Sequence, residues 1–219
     1  MAHRFTLENY HSICDALALT DSALAGIIQE HGYPPMWSRP NTFESLVHII
    51  LEQQVSLASA RSALNKLRDK VQEITPARAL LLTEAELKAC YFSRQKAAYT
   101  KYLAAAIISG QIDLAAFEQM ENDDIRRQLT SLKGIGNWTV DVYLMFVLQR
   151  ADIFPIGDLA AVNAFKKVKQ THPAITREDI LVLTQSWQPY RTVATMLLWH
   201  WYLSVRAVPV KSKYLKIGK

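Results

Sequence analysis

The sequence predicts an all-α protein of about ten short helices. Three observations predict it: apolar residues recur at spacings of three and four almost throughout, strand-like alternation is scarce, and capping residues or prolines divide the chain at short intervals. With 219 residues, 50% of them hydrophobic, the chain can bury a sizeable core without disulfides or a structural metal. Lys and Arg number 25 against 20 Asp and Glu, and the resulting charge of +5 favours polyanionic partners over acidic ones.

In chain order, residues 1–40 read as an N-terminal helical segment, 41–206 as the core and 207–219 as a basic tail. Asn41, with Glu44 three residues later, is expected to form a capping box for a helix carrying Phe43, Leu46, Val47, Ile50 and Leu51. Gln53-Gln54-Val55-Ser56 interrupts the apolar pattern as a polar, exposed junction, and Ser56 is placed to cap a second helix with Leu57, Ala60, Leu64, Leu67 and Val71 on one face. Thr75-Pro76 and Thr83 are further starts, Ser93 opens a helix that stops at Gly110, and Asp113 begins a short segment. A helix over about 121–129 leads into a glycine turn, followed by helices over about 137–149, 159–169, 178–185 and 189–206. The tail Lys211 to Lys219, with four lysines, reads as a solubilising end or as an arm that follows a polyanion.

Cys14 and Cys90 fall in helical, half-buried segments, so no disulfide framework or zinc cluster can be assembled, and a reducing compartment is expected. The start lacks the apolar stretch of a signal peptide. The longest apolar stretch, Val193 to Val205, contains His200 and is too short to cross a membrane, so an intracellular protein without a membrane partner is expected.

Leu132-Lys133-Gly134-Ile135-Gly136-Asn137-Trp138-Thr139 places two glycines one residue apart between a helical segment and a strongly apolar helix. Glycine allows a tight turn and close approach of another backbone, and the amides that open the next helix, aided by its dipole, suit a phosphate. The same turn also joins helices that bind nothing. Twenty residues beyond Trp138 stands Asp158, at the end of Asp152-Ile153-Phe154-Pro155-Ile156-Gly157-Asp158. Taken alone, Asp158 suits an N-cap for the helix from Leu159, and Trp138 and Trp199 suit apolar helix faces.

Together, this hairpin and aspartate loop resemble the helix-hairpin-helix DNA glycosylase superfamily, and the Phe154-Pro155 loop resembles its alkylpurine branch, DNA-3-methyladenine glycosylase II. Phe43 to Ser56 and Trp187-Gln188-Pro189-Tyr190-Arg191 through Trp199 extend the likeness over roughly residues 40–206. The resemblance implies two helical subdomains flanking a cleft, and the N-terminal β-rich domain of some family members is expected to be missing, since too few residues precede Asn41 and they read as helical. It implies a monomer that acts on double-stranded DNA containing damaged bases, flips the base out and hydrolyses its N-glycosidic bond to begin base excision repair.

By the same resemblance Asp158 is the essential carboxylate, Trp138 and Trp199 line the base pocket, and Gly134, Ile135, Gly136, Asn137 and Thr139 contact DNA. Trp138 stands where strand-nicking relatives carry a lysine nucleophile, which implies a monofunctional enzyme without lyase chemistry. Gln54 aligns with the side chain that fills the hole left in the duplex, where the branch often has leucine, and Gln53 is its neighbour. A sodium or potassium ion held by the carbonyls of Thr130, Leu132 and Ile135 is implied at the hairpin. No other cofactor is required, and an iron-sulfur cluster is excluded because no cysteine follows Cys90. Alternatives are a glycosylase for uracil, oxidised or mismatched bases, and a DNA-binding module without catalysis, which would have no need of Asp158.

Overall fold

The computed structural model describes residues 3–207, so the lysine-rich tail lies outside the described residues apart from its first position. Twelve α-helices and two 3-10 turns are present among the described residues, with one isolated bridge between Arg4 and Arg150 in place of any sheet. None of these helices is long and apolar enough to cross a membrane.

Two compact units divide the chain. The first holds residues 3–4 and 37–153, the second residues 5–36 and 154–207. In the first unit the helices are α3 (Phe43–Glu52), α4 (Leu57–Val71), α5 (Pro76–Leu81), α6 (Glu84–Ala89), α7 (Arg94–Ile108), α8 (Asn122–Thr130) and α9 (Asn137–Phe146). The caps fall where the sequence placed most of them: Ser56, Thr75, Thr83 and Ser93 each accept a backbone N–H of the first turn.

One start is displaced. Thr42, not Asn41, caps α3 by accepting from the Ser45 amide, and no Asn41–Glu44 capping box forms. Asn41 is committed elsewhere: its Nδ2 donates to the Leu114 carbonyl at 2.7 Å and to Glu118, and its Oδ1 accepts from the buried Tyr143 hydroxyl at 2.7 Å. A buried hydroxyl needs a partner more than a solvated helix end needs a cap. Leu46, Val47, Ile49 and Ile50 of α3 are wholly buried, and α3 packs against α4, α7 and α9 as the central helix of this unit.

The second unit contains α1 (Tyr10–Thr20), α2 (Ser22–His31), α10 (Leu159–Val168), α11 (Arg177–Leu183) and α12 (Arg191–Ala207). The segment before Asn41, expected as a separate element, contributes α1 and α2, which pack on α12; α10 packs there too. Val193, Ala194, Met196, Leu197 and Leu198 of α12 are wholly buried, so the longest apolar stretch of the chain is the spine of this unit's core. Asp21 ties the unit together at one polar point: it caps α2 and accepts from the Trp187 indole at 2.7 Å and the Lys169 ammonium at 2.9 Å. Burial pushes the Asp21 carboxyl up, but these donors outweigh it and hold the group below the usual aspartate range.

Candidate active site

The hairpin belongs to the first unit. α8 ends at Thr130, and the Ile135 amide closes the turn by donating to the Leu132 carbonyl at 3.1 Å. The two glycines do different jobs. Gly134 has φ +93°, and a Cβ there would sit 2.0 Å from the Tyr99 ring, so both backbone and packing require glycine. Gly136 has an ordinary extended backbone, and a Cβ there would meet nothing within 4 Å. Neither its conformation nor the protein's own packing requires a glycine at 136, so the start of α9 is left open.

Gly136 is the N-cap of α9 and supplies no side-chain acceptor. The first hydrogen bond within the helix runs from the Val140 amide to the Gly136 carbonyl, so the α9 ladder begins only there and the earlier amides point out of the helix end. Arg126 stands beside this end, donating to the Asn137 side chain at 3.2 Å and to Asp141 at 2.6 Å. Burial pushes the Asp141 carboxyl up while the Arg126 guanidinium opposes that shift. The helix dipole places positive potential at the start of α9, and Arg126, which no sequence motif announced, is held there as the ion-pair partner of Asp141.

The polar junction between α3 and α4 faces the hairpin across a groove of about 780 Å³, lined also by Lys96 and Tyr99 of α7 and by Lys133. Gln54 is exposed with φ +57°, an uncommon conformation for a residue with a side chain, and its neighbours Val55 and Leu57 are exposed apolar residues. Gln53 points the other way. Its Nε2 donates to the Gly134 carbonyl at 2.9 Å and to the Thr139 hydroxyl at 3.0 Å. Thr139, expected among the DNA contacts, has a buried side chain whose hydroxyl is taken by Gln53.

The aspartate loop belongs to the second unit. Phe154 and Pro155 are buried, and the Phe154 ring lies 6.2 Å from Phe165 and 6.3 Å from Trp187, which anchors the loop in the core. The Asp158 amide donates to the Pro155 carbonyl at 2.8 Å, turning the chain into α10. Asp158 is the N-cap: its Oδ1 accepts from the Ala161 amide at 2.7 Å and from the Trp199 indole at 3.1 Å. The half-buried carboxylate is thus oriented by a helix end and by a side chain of α12.

Of the tryptophans, Trp138 and Trp199 are half-buried, whereas Trp187 is core, as is Tyr143. The sequence offered no signal for Tyr99, Lys96 or Arg126, whose roles arise only when distant helices meet. Both cysteines are buried and unbridged, and no group of three His, Cys, Asp or Glu suited to a metal occurs among the described residues.

A family model described as HhH-GPD superfamily base excision DNA repair protein matches residues 47–189. DNA-3-methyladenine glycosylase 1 of Schizosaccharomyces pombe is 30% identical over 161 residues, covering 72% of this chain and 71% of that protein. The solved structure of the S. pombe 3-methyladenine DNA glycosylase Mag1 in complex with abasic DNA superposes with a TM-score of 0.78 at 27% identity, covering 86% of this chain and 95% of that one. The structure of a Bacillus halodurans DNA-3-methyladenine glycosidase gives 0.75 at 26% identity, covering 89% and 90%.

Proposed function

The chain belongs to the HhH-GPD superfamily of base excision DNA repair proteins, and we propose that it is a monofunctional DNA glycosylase that releases alkylated purines from duplex DNA. The observation that carries the reading is Asp158: a carboxylate held by the α10 amide and the Trp199 indole, in a loop anchored through Phe154 and Pro155.

Breaking the N-glycosidic bond builds positive charge on the deoxyribose as the base leaves with the bonding electrons. A carboxylate already oriented beside that sugar stabilises the charge without reorganising, and it can accept a proton from the attacking water. The water oxygen bonds to C1′, and the products are the released base and an abasic sugar. Trp138 offers no amine to form a Schiff base with that sugar, so the strand stays intact.

An N3- or N7-alkylated purine is cationic and leaves readily. The half-buried Trp199 indole, next to Asp158, suits such a base, since a cation over an aromatic face gains about 0.5 to 2 kcal/mol. The amides of α9 hold a backbone phosphate, and Gln54 fills the space that the flipped base vacates. Carbonyl oxygens are hard donors that suit sodium or potassium, and those of Thr130, Leu132 and Ile135 would hold such an ion. Such an ion would supply positive charge toward the phosphate. An intracellular site of action follows from the substrate.

The test is chromatography of bases released from methylated duplex DNA, with strand scission scored before and after alkali. Release of methylated purines, with strands that break only after alkali, is the expected result. Binding without release would make the chain a DNA-binding module, and scission before alkali would make it a lyase.

A further inference from the structure

Gln53 was expected to touch DNA alongside Gln54, yet its amide is used within the protein. Both Nε2 bonds run to the hairpin, to residues 81 and 86 positions away in sequence. One acceptor is the carbonyl of Gly134, the hairpin residue with the left-handed backbone; the other is the hydroxyl of Thr139, which is 1% exposed.

α7 buttresses both partners of this link. The Lys96 ammonium donates to the Leu51 carbonyl at 2.7 Å, just before the junction, and the Tyr99 ring closes against Gly134. Each loop is therefore held separately by α7, and Gln53 ties them to each other directly by hydrogen bonds. Gln54, next in the chain, keeps its uncommon φ of +57° at the exposed tip. A side chain inserted into a duplex and a grip on its phosphate act together only if the distance between them is fixed, and small misplacements are costly.

We infer that Gln53 is a positioning residue: it locks the Gln54 junction to the phosphate-binding hairpin, so that insertion and grip act on the duplex as one rigid unit. The inference rests on the glycosylase reading for the presence of a vacated site in the DNA, but not on which base is released.

The experiment compares affinity for a duplex carrying a stable abasic-site analogue with affinity for the intact duplex, in the wild type and in the Gln53→Met, Thr139→Val and Thr139→Ser variants and the Gln53→Met/Thr139→Val double variant. Intact DNA requires the grip alone, so the ratio reports insertion. Gln53→Met and Thr139→Val should each lower the ratio about tenfold, the scale of a lost hydrogen-bond link. The double variant should be no worse than either single one, Thr139→Ser should keep the wild-type ratio, and any loss of affinity on the intact duplex should be smaller than the loss on the abasic-site duplex.

Loss in Gln53→Met with none in Thr139→Val would mean that the Thr139 bond plays no part in the link, and would overturn the inference. Equal loss on both duplexes accompanied by a fall in melting temperature would reduce the link to ordinary stability, and would overturn it too. A wild type that does not distinguish the duplexes, or variants with unchanged ratios, would do the same. Because no base release is measured, failure here is separable from failure of the alkylpurine assignment.

Discussion

Two helix starts in this protein are opposites. α9 begins after Gly136 with no side-chain cap, its first amides pointing out of the helix end and open space where a Cβ would stand. α10 begins with Asp158, whose carboxylate takes up the Ala161 amide and is held again by Trp199. The same physics, positive potential at a helix N-terminus, serves two ends: the bare start suits an anion from outside, while the capped start holds an anion of the protein's own in one orientation. A cap is usually read as stability. At α10 it is also the device that aims a reactive group.

Asp158→Asn separates these roles most sharply. Asparagine caps a helix about as well as aspartate, so melting temperature should hold, whereas base release should fall by about 100-fold or more because the charge is gone. Gly134→Ala should cost about 3 kcal/mol of stability, measured by denaturant unfolding, because it meets both the Tyr99 ring and an unfavourable φ. Trp199→Phe removes the indole donor from the carboxylate and should slow single-turnover release about tenfold with DNA affinity little changed.

The smallest effect is the pH response of the Asp21 cluster. Its carboxyl is held below the ordinary range in the folded state, so its contribution is present above the unfolded value and fades as pH falls through the folded one. Asp21→Asn should be less stable than wild type at neutral pH, and the gap should close on acidification; a gap that widens would contradict the sign.

The helix pattern was legible because caps and apolar spacing are local: Ser56, Thr83 and Ser93 start helices where their sequence contexts say they do. Asn41 misled because a buried Tyr143 hydroxyl, 102 residues away, claimed its side chain. Twelve helices stand where about ten were expected, since the segment before Asn41 folds as two. The glycine hairpin and the Asp158 loop were visible as motifs, but the difference between Gly134 and Gly136 was not, because it depends on where Tyr99 arrives. Gln53 was read as an exposed junction residue for the same reason: its partners lie more than eighty positions away.

The most direct test of the division between the two helix starts measures duplex affinity and single-turnover base release together, on one methylated duplex, for Asp158→Asn and Gly136→Val. A double dissociation is expected: Asp158→Asn binds as tightly as wild type or tighter but does not release, while Gly136→Val stays folded, binds weakly and releases at near the wild-type rate once saturated. Release by Asp158→Asn within tenfold of wild type, or undiminished binding by Gly136→Val, would contradict it.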